Sequence, residues 1–229
     1  MTPLSPVAKA KPLKRPTQAR AKATVQAIFD AFVRIWQRDG WGRLTTRSVA
    51  LEAGIAVGTL YDYFPSKTAL QSGYVRYCME TLMHAVDEQA VHRAGLTWQE
   101  RIHCLVHMVC GVHNPPLAWF HPDMLKLEPL VAEPKHQRRA NEELAAMWQR
   151  VFDACTDLPQ RPSADTVRAL HLALWGGRRY AMLVGLDDAQ MQQWAAEMER
   201  LVCAAVLSGG VPSVGLRSVG LNTQAPREQ

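Results

Sequence analysis

The stretch AGIAVGTLYDYFPSK, residues 53–67, gathers side chains suited to contact with double-stranded DNA. Thr59 offers a hydroxyl and a methyl group, and Tyr61 an apolar ring that suits thymine methyls. Gly58 has no side chain, so the backbone there can approach a phosphate or a base edge. Tyr63 and Lys67 stand where phosphate contacts are expected, Lys67 also at the positive start of the next helix. Thr45 and Thr46 open the preceding short helix and are expected to fix register on phosphates. Arg15 and Arg20 come from a basic N-terminal run and complete the DNA-binding set. The competing role for the aromatics is packing: Phe64, before Pro65, is expected to seal the core, and Tyr63 is open between phosphate and core.

A second constellation could hold a ligand. His103 and His107 are spaced i, i+4, so one helix face carries both imidazoles, with Cys104, Cys110, His113 and His121 near in sequence. No acidic residue stands where an H-E-x-x-H zinc motif requires it, and Cys104 points to a different face from His107, so no metal is expected. A metal- or redox-sensing regulator stays as the alternative function. There is no nucleophile elbow, no glycine-rich phosphate loop and no acid–base pair, so no catalytic residue, no cofactor and no enzyme activity are expected.

The elements that must position these residues are helical throughout. Val25, Ile28, Phe29, Phe32, Ile35 and Trp36 form one apolar stripe ended by Gly40. A short helix follows from Thr45 to about Ala53, then Gly54-Ile55-Ala56, then a second short helix at 57–63. Two short helices with so tight a turn fit a helix-turn-helix, whose second helix enters the major groove. Ser66 caps a long helix carrying Leu70, Tyr74, Tyr77, Leu82, Ala85 and Val86 on one side. Thr97-Trp-Gln-Glu100 and Asp187-Asp-Ala-Gln190 are capping boxes. Five prolines between 115 and 134 break that region. Helices are then expected at about 134–155, 163–184 and from 187 onward.

The 229 residues are 48% hydrophobic, enough for a substantial core, and no apolar run is long enough to span a membrane. Five scattered cysteines with no C-x-x-C pair point to a reducing, cytoplasmic setting. Residues 1–24 carry six basic residues and no acid, while the whole chain sums to only +5. That basic, proline-containing arm, expected to be flexible, suits an anionic polymer through counterion release.

Residues 44–70, LTTRSVALEAGIAVGTLYDYFPSKTAL, resemble the DNA-binding region of TetR-type transcriptional regulators. The Ala-Gly pair, the Gly-Thr-Leu-Tyr-x-Tyr-Phe run and the Ser-Lys-x-x-Leu that follows carry the likeness. Ala56 stands where the family often has Ser, and Ser48 where an acid is common; no role is expected for Ser48. The resemblance implies an all-α fold: an N-terminal three-helix helix-turn-helix domain joined by a long helix to a larger C-terminal ligand-binding and dimerisation domain. It also implies a homodimeric repressor on a palindromic operator, released by a small effector.

The expected divisions are a basic arm at 1–19, a DNA-binding domain at 20–65, an effector and dimerisation domain at 66–208, and a flexible tail at 209–229. An apolar effector pocket would be lined by Met108, Trp119, Phe120, Met124, Trp148 and Phe152, with His103 and His107 nearby, although most of the apolar ones, taken singly, read first as ordinary core residues. Gly176 and Gly177 inside a helix are costly by propensity and suggest a close helix crossing. With Trp194, Met198 and Val202 they are the candidate dimer interface; the last three could instead face the monomer's own core.

Overall fold

The structure is a computed structural model, and it describes residues 19–112, 127–128 and 131–208. The described residues are all-helical, with no strand among them. α1 (Ala19–Asp39) buries Ile28, Phe29, Phe32, Ile35 and Trp36 on the face expected from their spacing. It stops at Gly40, whose φ of 77° is left-handed and favours glycine. A single 3-10 turn, Trp41–Arg43, leads to α2 (Thr46–Glu52) and α3 (Val57–Tyr63). α4 (Lys67–Val86) passes into a wider π turn at Asp87–His92, a continuation that helical spacing does not reveal. α5 (Trp98–Cys110), α6 (Pro134–Ala154), α7 (Ala164–Leu183) and α8 (Asp188–Leu207) form the remainder. The caps at Ser66, Thr97, Ser163 and Asp187 all accept the expected backbone N–H.

Two buried clusters organise these helices. The first joins α1, α2 and α3 to the N-terminal half of α4 through Leu44, Val49, Leu60, Phe64, Leu70 and Tyr74. Its aromatic centre is dense: Phe29 stacks on Tyr77 at 4.8 Å, and Phe32 meets Tyr74 at 4.7 Å between ring centroids. This core therefore runs past residue 65, because α4 supplies one wall of it. The second cluster joins the end of α4 to α5, α6, α7 and α8 around Met108, Trp148 and Phe152. Each fully buried side chain of this size contributes about 1.5–3 kcal/mol of burial free energy. Trp175 packs against both clusters and so links the two halves.

No helix among the described residues is long and apolar enough to cross a membrane. The arm at 1–18 and the tail at 209–229 lie outside the described residues, as does most of the proline-rich region.

Candidate nucleic-acid interface

The placement of α2 begins with its cap. Thr45 Oγ1 accepts from Ser48 N at 3.0 Å, and Thr45 N donates to Ser48 Oγ at 2.9 Å. Ser48, for which the sequence suggested no role, thus closes a capping box and does the work of the acid common at that position. On the far side of α2, Glu52 receives Arg34 Nε and Arg38 Nη1, each at 3.1 Å. These bonds hold the Glu52 carboxyl below its usual range, chiefly through Arg34, and strap α2 to α1.

Gly54, at φ 68°, makes the turn into α3. The N-cap of α3 is Ala56, which offers no side-chain hydrogen bond, so α3 depends on packing to stay in place. Leu60 supplies it, wholly buried, and Phe64 closes the helix with its N–H on Leu60 O at 2.8 Å. The opposite face is open. Tyr61 is 44% exposed and Val57 37%, and no atom lies within 4 Å of where a Gly58 side chain would begin. Tyr61 Oη and Thr46 Oγ1 are 3.1 Å apart, which brings the start of α2 and the outer face of α3 onto one surface. Thr59 and Tyr63 are half-buried at its edge, Tyr63 against Phe64 and the core.

Lys67 stands at the start of α4 with Nζ 4.9 Å from the centre of the Trp41 ring. That cation–π contact aims the ammonium and uses Trp41, which is half-buried at the margin of the core. Arg20 is exposed near the start of α1, whereas Arg15 lies outside the described residues. Two further cations escaped the sequence reading. Arg43 and Arg47 are exposed and flank the Thr45-Thr46 pair. The signal that would have found them is that placement, two residues before and one after a pair of threonines already assigned to phosphate.

In the C-terminal half the candidate effector residues divide. Met108, Trp148 and Phe152 are sealed in the second core, since their helix faces meet those of neighbouring helices rather than a void. Trp119, Phe120 and Met124 lie outside the described residues. A cavity of about 670 Å³ opens elsewhere, between α1, α4 and α6, lined in part by Phe29, Phe64, Val75, Met79 and Val131. His103 and His107 meet on α5 with ring centroids 4.0 Å apart, beside Glu199 of α8. Burial, then the neighbouring His103, holds the His107 imidazole below its usual pKa, against the pull of Glu199.

The dimer candidates also divide. Val202 is buried in the chain's own core, because α8 turns that face onto α5. Trp194 and Met198 are partly buried against the same core. A Cβ on Gly177 would stand 2.8 Å from Trp194 Cζ2, so the close crossing at Gly177 is internal, between α7 and α8. Gly176 faces open space. In the C-terminal half, the large apolar residues exposed among the described residues are Leu172, Tyr180, Leu183 and Val184 on or just after α7, with Leu201 and Leu207 on α8. All five cysteines are free thiols, and burial pushes Cys78 and Cys110 up to about 12.

Residues 28–71 match the model of the bacterial regulatory proteins of the tetR family. The HTH-type transcriptional repressor KstR of Mycolicibacterium smegmatis is 37% identical over 79 residues, covering 34% of this chain and 38% of that protein. KstR of Mycobacterium tuberculosis is also 37% identical over 79 residues, covering 34% of this chain and 35% of that protein. The match thus spans well under half the length of these relatives. Among solved structures, a TetR transcription regulator from Haloarcula marismortui has a TM-score of 0.56 at 19% identity, covering 79% of this chain and 98% of that one. The TetR family repressor AlkX from a Dietzia species has a TM-score of 0.55 at 17% identity, covering 86% and 99%. At these identities the likeness is one of fold. The family match and the stretch shared with KstR both fall on the N-terminal helices, so residues 28–71 resemble the N-terminal region of bacterial regulatory proteins of the tetR family, and the described helices share the fold of those solved structures.

Proposed function

We propose that the chain is a homodimeric repressor that inserts α3 into the major groove of a palindromic operator and is released by a small, largely apolar effector. The observation that carries this reading is the outward face of α3. A helix only seven residues long keeps Val57, Gly58 and Tyr61 free while Leu60 and Phe64 anchor it. In such a motif the start of the first helix meets the backbone while the second reads bases. Thr59 and Tyr61 are the base readers in this scheme; Thr45, Thr46, Tyr63, Lys67 and Arg20 set the register on phosphates.

The dimer reading draws on α7. Leu172, Gly176, Tyr180 and Val184 recur every four residues and share one exposed stripe. A second copy is its natural cover, since an apolar face this long on a soluble chain marks an interface, and a two-fold axis would set α7 against its own image with Gly176 at the crossing. The effector reading draws on the cavity between α1, α4 and α6, whose volume suits a small ligand. Phe64 lines it and also ends α3, so an occupant would press directly on the base of the reading helix.

The test is fluorescence-anisotropy binding to a fragment from upstream of the protein's own gene, against scrambled DNA of equal length, at two salt concentrations. Discrimination that survives the higher salt is expected. Equal binding to both fragments that collapses with salt would leave only sequence-independent phosphate contacts and defeat the reading.

A further inference from the structure

We propose that His103, His107 and Glu199 form a binding site for a divalent transition-metal ion of the zinc class, bridging α5 and α8. In sequence the two histidines lack the acid of an H-E-x-x-H motif, and Cys104 points to a different face from His107. The structure supplies an acid from more than 90 residues away. Glu199 Oε2 lies 2.9 Å from His103 Nδ1 and 3.0 Å from His107 Nε2. One ligand atom from each residue falls within 4.8 Å of the other two. Ligand atoms around a tetrahedral zinc ion are separated by about 3.3 Å, given bonds near 2.0–2.1 Å. Small side-chain rotations therefore open the triangle enough to seat an ion.

The chemistry of the set narrows the ion. Two imidazoles and one carboxylate suit zinc, cobalt or nickel, whereas magnesium and calcium favour oxygen ligands alone. Three protein ligands leave a fourth position, and here it faces a cavity of about 750 Å³ whose wall includes Gln89, Arg93 and Glu100. The Glu100 carboxylate is occupied by the Thr97 N–H and hydroxyl. Glu100 and Glu199 outweigh the single guanidinium of Arg93 on this wall. His107 and Glu199 are partly buried and His103 is more exposed, so the ligands are held yet reachable from solvent. Because α5 and α8 make the most extensive helix–helix contact among the described residues, an ion here would fasten that packing. This site stands apart from the DNA-reading surface and does not depend on that function.

The test uses the full-length, tag-free chain, stripped with chelator and titrated with Zn²⁺ against a chromophoric competitor, with Mg²⁺ as a second probe. One Zn²⁺ per chain is expected, with no Mg²⁺ uptake. Glu199→Gln and His107→Ala should each weaken binding by about tenfold or more. His84→Ala, an exposed histidine outside the cluster, should leave it unchanged. Circular dichroism of the stripped variants establishes that they fold; if Glu199→Gln does not, His103→Ala at its exposed position decides by the same titration. Failure of the wild type to bind zinc stoichiometrically, or wild-type affinity in the folded variants, overturns the site and leaves a histidine–carboxylate hydrogen-bond bracket.

Discussion

Replacing Gly73 by alanine tests how the reading helix is held. Gly73 lies inside α4, and a Cβ there would stand 2.6 Å from Phe64 Cε1, 3.3 Å from Cδ1 and 3.4 Å from Phe29 Cζ. Carbon atoms rest at about 3.5–4.0 Å, so the Phe64 ring must retreat by about 1 Å. Phe29 backs it at 5.4 Å between centroids, so the room it has lies toward the cavity that it lines with Gly73. Alanine in mid-helix brings about 1 kcal/mol of propensity. Forcing an extra methyl into a packed core costs about 1–3 kcal/mol. The net is expected to run from near neutral to a loss of about 2 kcal/mol.

Gly58→Ala supplies the control, since it makes the same chemical change on a helix with nothing within 4 Å. It should stabilise by about 0.5–1 kcal/mol and at the same time weaken DNA binding, because a methyl then stands where the backbone must approach the duplex. Urea unfolding followed by circular dichroism gives both stabilities, and anisotropy gives the affinities. Equal stabilisation by the two substitutions would refute the seating of Phe64 against Gly73. Undiminished DNA binding by Gly58→Ala would refute the close approach at α3.

Tyr61→Ala should relax sequence preference, narrowing the affinity gap between operator and scrambled DNA, whereas Arg47→Ala should weaken both alike and lower the salt slope by about one; a loss of discrimination in Arg47→Ala would reverse those roles. His171 is 1% exposed, with Nε2 at 3.1 Å from Asn141 Oδ1 and the Trp148 ring beside it, and burial lowers its pKa from 6.5. Below pH 6.5 the unfolded chain takes a proton that the folded chain resists, so stability falls with acidity until the folded pKa is passed. Urea midpoints measured across this range should decline less steeply in His171→Gln than in the wild type, and parallel declines would remove His171 from the cause.

The features legible in the sequence are those whose partners lie within a few residues. The capping boxes at Thr97–Glu100 and Asp187–Gln190, the Ser66 cap and the turn at Gly54 each close over at most four positions, and each forms as read. The reading helix belongs to the same class, because Leu60, Phe64, Tyr61 and Thr46 span only 19 residues. Ser48, given no role from the sequence, closes the capping box with a hydroxyl where an acid is common. The C-terminal half is different in kind. α8 carries apolar residues on more than one face, and periodicity alone does not say that Val202 turns inward while Leu201 stays in solvent. Met108, Trp148 and Phe152 have the same composition whether they line a void or fill one. The meeting of His103 and His107 with Glu199 depends on the register between α5 and α8, which a long chain of intervening packing decides. A short motif can therefore fix the surface of α3 from residues close in sequence. The grouping of His103, His107 and Glu199 depends instead on helix register, where one residue of slip exchanges a polar side chain for a core one.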